Sequence, residues 1–213
     1  MIRPFLISSK ETAQALEHLS AVDDRLATVI KTVGKFKIRA CQDAFESLGE
    51  AIIYQQLAGS AAEAIYGRFI EIYHGTFPKP TELLATDLCK LRATGLSARK
   101  IEYLKDLASY VSDNRMKLDS LPSMTDEEVV KQLVQVKGVG RWTAEMFLIF
   151  CLRRPDVLPV GDLGLQKAMQ KIYSLPDLPL PDMMYHIARV WRPYRSIATW
   201  YLWKSLGQFK AIG

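Results

Sequence analysis

One stretch near the middle of the chain leaves few architectures open. Residues 126–152, DEEVVKQLVQVKGVGRWTAEMFLIFCL, carry apolar positions at helical spacing, break at Lys137-Gly138-Val139-Gly140, and resume at once as a second, strongly apolar helical run. Two helices joined this closely must fold back on each other, and glycine lets a backbone turn that tightly. The same helical period recurs along the chain, whereas the alternation of a half-buried strand is almost absent. Helices are predicted near 10–19, 22–33, 43–57, 60–73, 81–92, 97–112, 126–136, 141–152, 163–173, 182–191 and 194–206. Ser60-Ala-Ala-Glu63 and Thr125-Asp-Glu-Glu128 match the capping box, in which a hydroxyl and a carboxylate satisfy each other's backbone donors. Pro78 with Pro80, and Pro176, Pro179 and Pro181, read as two linkers. The expectation is an all-α fold forming one two-lobed unit. Residues 81–190 make the hairpin-containing lobe and residues 1–80 with 191–213 the other, and the groove between lobes is the natural place for an active site.

Composition excludes several classes. With 213 residues, 49% hydrophobic and 24% charged, the chain can build a sizeable core and is neither a disordered polymer nor a long coiled coil. No apolar run reaches the ~18 residues of a membrane span, and the first residues lack a signal-peptide pattern, so an intracellular location is expected. That means bacterial cytoplasm or nucleoid, or a nucleus. Three histidines and three cysteines are scattered, without the spacing of a zinc site. An iron–sulfur cluster normally takes four thiolates, so neither zinc nor such a cluster is expected. The net charge of +5 suits a polyanionic partner without proving one.

Exposed amides in the Gly-Val-Gly turn, together with the first N–H groups of the following helix, make an anion site that can hold a DNA phosphate without reading a base. Lys137 and Arg141 flank that turn with positive charge. The plainer alternative is a helical hairpin whose glycines only reverse the chain. Some twenty residues on, Asp162 stands just before the predicted helix LGLQKAMQKIY. As an N-cap its carboxylate accepts from backbone amides, and the same amides favour its ionised form.

The longer pattern Leu133-x4-Gly138-Val139-Gly140-x2-Thr143-Ala144, followed by a Gly/Pro-rich loop and Asp162, resembles the helix-hairpin-helix DNA glycosylase superfamily. The similarity is strongest to its 3-methyladenine DNA glycosylase II branch, of AlkA and Mag type. It runs in collinear order through IIYQQLAGSAAEAI (52–65), LRATGLSARKIEYLKDLA (91–108), VKGVGRWTAEMFLIF (136–150), DVLPVGDLGLQ (156–166) and WRPYRSIATWYLWK (191–204). The residues before position 43 are too few and too helical for the β-rich N-terminal domain of the AlkA type, so the compact all-α form is expected.

By this resemblance Asp162 is the catalytic carboxylate, although Gly161 stands where many relatives have a second acid. Trp142, Trp203 and Met146 match the base pocket, Met146 replacing a tyrosine common in bacterial relatives. Lyase-competent relatives carry a lysine at the Trp142 position, so a monofunctional enzyme is implied. Gln56, Leu57 and Ala58 occupy the elbow that wedges into DNA, with Leu57 the apolar wedge. Lys137, Gly138, Val139, Gly140, Arg141 and Thr143 form the phosphate-binding hairpin. Main-chain carbonyls of Val134, Val136 and Val139 match a site for Na+ or K+. Arg99-Lys100 and Arg192/Arg195 are further phosphate candidates, and Trp200 reads as core. The implied activity is base-excision repair: flipping alkylated purines of the 3-methyladenine and 7-methylguanine type out of double-stranded DNA and hydrolysing them away, as a monomer. The alternatives are an inactive homologue that binds abasic or distorted DNA, and a glycosylase for hypoxanthine, uracil or ethenoadenine.

Overall fold

The structure, a computed structural model, describes residues 9–38, 41, 43–57 and 59–207. Among the described residues there is no strand. The helices are α1 (Ser9–Val22), α2 (Asp24–Val33), α3 (Ala44–Tyr54), α4 (Gly59–Glu71), α5 (Pro80–Ala85), α6 (Leu88–Ala93), α7 (Ala98–Ser112), α8 (Asp126–Leu133), α9 (Arg141–Phe150), α10 (Leu163–Tyr173), α11 (Pro181–Ile187) and α12 (Arg195–Ser205). A 3-10 turn spans Leu118–Ser123. No described helix is long and apolar enough to cross a membrane.

Local chemistry explains where the predicted boundaries held and where they moved. Thr125 caps α8 with its full box, the Glu128 carboxylate accepting from the Thr125 N–H at 2.8 Å. The Ser60 box heads nothing, because α4 already begins at Gly59. The helix predicted over 81–92 is two helices. Thr86 turns extended, and the Asp87 side chain accepts from the amides of Cys89 and Lys90 to start α6. Asp and Thr compete with the helical backbone in this way wherever a turn is available.

The described chain falls into two compact units, one holding 9–38 and 148–207 and the other 43–147. This division replaces the lobes expected from the prolines. Pro80 opens α5 at its first turn instead of ending a unit. Lys105 of α7 then donates to the carbonyls of Leu84 and Thr86 at the other end of α5, so 75–80 lies inside the second unit. Pro181 likewise opens α11.

In the first unit α12 is buried on every side from Ser196 to Trp203, and α2 and α10 pack on it. A helix apolar all round belongs in a core. Asp23 ties the unit together: it caps α2, and its Oδ2 accepts from the Tyr173 hydroxyl at 2.6 Å and the Trp191 indole at 2.9 Å. The second unit centres on α7, which buries Ile101, Leu104, Leu107 and Ala108 against α3, α5 and α6.

Candidate functional site

The hairpin lies in the second unit. Gly138 has φ +80°, and a Cβ there would collide with the Tyr103 ring of α7, so both conformation and space require glycine. Gly140 differs: its φ is not in the left-handed region, and a Cβ would meet nothing within 4 Å. The expectation that two glycines make the turn is therefore corrected to one, with Gly140 leaving open space beside the backbone.

The flanking cations are engaged. Lys137 Nζ donates to Glu102 Oε1 at 2.7 Å, and the Lys137 N–H donates to Asp106 Oδ2 at 2.8 Å. That hydrogen bond holds Glu102 below, and Lys137 above, their ordinary ranges. Arg141 forks onto Glu127 and also donates from Nε to the buried Glu145 at 3.1 Å. Both expected phosphate anchors thus sit in acidic clamps, and Thr143 is buried.

The elbow between α3 and α4 is pinned from two sides. Lys100 Nζ donates to the Ile53 carbonyl at 2.6 Å, a cation on the C-terminal end of α3. Gln55 Nε2 donates to the Gly138 carbonyl at 2.8 Å and reaches Thr143 Oγ1 at 3.4 Å. Gln56 then takes φ +56°, and Leu57 stands 37% exposed. Ala58 lies outside the described residues. Trp142, second residue of α9, is 40% exposed, and Met146 one turn later is buried.

Asp162 lies in the first unit and is the N-cap of α10. Its Oδ1 accepts from the Leu165 amide at 2.6 Å and from the Trp203 indole N–H at 2.8 Å. The preceding loop is fastened to the start of α12. Arg195 grips Asp156 through Nε at 2.7 Å and Nη2 at 3.0 Å. Ser196 Oγ donates to the Arg154 carbonyl and accepts from the Val157 amide. Gln166 Nε2 holds the Val160 carbonyl at 2.9 Å. Such fastening gives a loop carboxylate the rigidity of the helices beside it.

Residues 50–193 match the pattern of the HhH-GPD superfamily base excision DNA repair proteins. The chain belongs to the HhH-GPD superfamily. It is 37% identical over 193 residues to DNA-3-methyladenine glycosylase 1 of Schizosaccharomyces pombe, covering 88% of this chain and 85% of that relative. The solved structure of the S. pombe 3-methyladenine DNA glycosylase Mag1 in complex with abasic DNA matches with a TM-score of 0.83 and 35% identity, over 94% of this chain and 100% of that one. A DNA-3-methyladenine glycosidase of Bacillus halodurans matches with a TM-score of 0.81 and 36% identity, over 92% and 90%.

In this HhH-GPD chain the carbonyl of Val136 already accepts from the Val139 amide at 3.1 Å. A carbonyl keeps a second lone pair, so this bond uses only part of its accepting capacity. Two other phosphate candidates are committed elsewhere, Lys100 to α3 and Arg195 to Asp156. Sequence reasoning missed Tyr103, Glu102 and Ser196, and placed Gln55 in the elbow without its bond to the hairpin. Their partners lie tens of residues away, and no local spacing signals such contacts. Trp203, expected to line a base pocket, is 2% exposed, with its ring stacked on Phe150.

Proposed function

We propose that this HhH-GPD protein is a monofunctional DNA glycosylase of base-excision repair that excises alkylated purines, of the 3-methyladenine and 7-methylguanine type, from duplex DNA. The observation that carries the reading is Asp162: a carboxylate held by two N–H donors at the head of a helix, in a chain collinear with named 3-methyladenine glycosylases.

Breaking the C1′–N bond sends its electron pair to the departing base and develops positive charge on the sugar. A fixed carboxylate favours that charge; at ~4 Å and an effective dielectric of ~20 the attraction is on the order of 4 kcal/mol, roughly a thousandfold in rate. The same group can orient the water whose oxygen bonds to C1′ and accept its proton. An alkylated purine is itself cationic, which improves the leaving group and favours the electron-rich face of Trp142. Trp142 supplies no amine, so no Schiff base forms and the DNA backbone stays intact.

A flipped base leaves a gap, and Leu57, with Gln56 and Ala58 beside it, is the group to fill it. Gly140, its backbone open to approach, and the amides at the start of α9 serve the phosphate. A monovalent cation, when bound, is held by the carbonyls of Val134, Val136 and Val139 and screens the phosphate without entering the chemistry. The protein works as a monomer in the compartment that holds DNA.

The test incubates methylated duplex DNA with wild type and Asp162→Asn. Released methylpurine and an uncut abasic strand are expected from wild type, with release by the variant cut about a thousandfold to a small residual rate and abasic DNA bound by both. Abasic binding without release by either would leave a lesion-binding protein. Release of hypoxanthine, uracil or ethenoadenine in place of methylpurines would change the substrate.

A further inference from the structure

Trp203 has no exposed face to offer a ligand, yet its one polar atom is spent on Asp162. A buried indole N–H needs an acceptor, and any well-placed carbonyl would meet that need. It instead reaches the oxygen already capped by the Leu165 amide, at 2.8 Å beside 2.6 Å. Gly164 supplies an independent second observation. A Cβ built there would lie 3.1 Å from Asp162 Oδ1, 3.5 Å from Trp203 Cδ1 and 3.6 Å from Trp203 Nε1. The residue two places into α10 therefore carries no side chain where the carboxylate and the indole edge meet. Glycine in a helical first turn has a conformational cost relative to alanine. At Gly164 that cost coincides with room for this contact.

We propose that Trp203 is a positioning residue for Asp162: its indole N–H, admitted by Gly164, fixes the rotamer of the carboxylate. This rests on Asp162 being the catalytic group of a glycosylase. Phe150 stacks on the Trp203 ring at 5.9 Å and 21°, which locks the indole in turn. One oxygen of Asp162 takes both N–H bonds, so the carboxylate plane cannot swing when the sugar charge develops. A carboxylate free to rotate would spend part of its time misaligned, and rate would fall without loss of DNA affinity.

The experiment measures single-turnover release of 3-methyladenine and equilibrium affinity for abasic duplex, in wild type, Trp203→Phe, Gly164→Ala, Asp162→Asn and the double variants. Trp203→Phe keeps an aromatic ring but removes the donor together with part of the buried indole. Gly164→Ala favours the helix and presses on the acceptor. The expected result is a loss of about tenfold or more in release rate for each, with abasic affinity within twofold of wild type and the thermal midpoint of Gly164→Ala within a few degrees of it. In the Asp162→Asn background neither should slow the residual release further. Either variant releasing base at the wild-type rate would overturn the role, as would parallel losses of rate and affinity, or equal losses with and without Asp162. Wild type that releases no base would overturn the glycosylase reading itself, and the positioning role with it. If Trp203→Phe does not fold, Gly164→Ala carries the same test alone.

Discussion

Gln55 and Gly138 are separated by 83 positions in the chain, and the side-chain amide of the first donates to the carbonyl of the second at 2.8 Å. The contact ties the elbow that carries Leu57 to the turn at Gly138. Removing it should loosen both. Gln55→Ala is expected to weaken abasic-duplex binding about five- to tenfold, the worth of roughly one net hydrogen bond. Fluorescence anisotropy at fixed salt measures this; unchanged affinity would mean the coupling is idle in binding.

The two hairpin glycines should behave oppositely. Gly138→Ala places a Cβ into the Tyr103 ring at a positive φ, and should cost about 2–4 kcal/mol of stability. Gly140→Ala meets nothing within 4 Å, so its melting temperature should match wild type. On the phosphate role proposed for the hairpin, it should nevertheless lower DNA affinity, the added methyl standing beside the open backbone. Calorimetry beside binding isotherms separates the two effects.

Lys137 must leave Glu102 to meet a phosphate. Exposed pairs of this kind contribute little to stability, so the exchange is easy. Lys137→Ala is expected to reduce the slope of log K against log salt by about 0.9 while leaving the melting temperature in place. Glu102→Gln should raise affinity about two- to fivefold by removing the competing charge. A salt titration of both variants decides the matter.

Alkaline stability should report on Tyr201. Burial pushes its phenol up to about 12 from an ordinary value near 10, while its hydroxyl donates to the Gly34 carbonyl at 2.7 Å. A folded-state value above the unfolded one means the stabilisation is whole below pH 10 and is lost as pH rises toward 12. Tyr201→Phe should lower stability by about 1 kcal/mol near pH 8 and make the fall between pH 10 and 12 shallower. Tyr66, Tyr73 and Tyr173 are displaced the same way, so part of the fall remains. Urea denaturation across that range provides the measurement.

Much of this was legible without coordinates because it is local. The Thr125 box, the break between α8 and α9 and Asp162 before a helix are all patterns within a few residues, and each forms where predicted, though only Gly138 of the two turn glycines is needed for its conformation. The unit boundary was not, because prolines were read as separators when Pro80 and Pro181 open helices. Nor were the clamps on Lys137 and Arg141, whose acids come from α7, α8 and further along α9. A charge beside a glycine turn looks the same on paper whether it waits for a phosphate or already holds a carboxylate.

The first unit is assembled from both ends of the described chain, and this sets a timetable. Gly34 must wait for Tyr201, 167 positions later, and Asp23 for Trp191, 168 positions later. A ribosome adding about 5–20 residues per second leaves α1 and α2 without their partners for roughly 10–30 s. Residues 43–147 are contiguous and can close during that interval. The half that carries the carboxylate is therefore the last to form, and a nascent chain can hold a finished hairpin well before it can hold a finished Asp162.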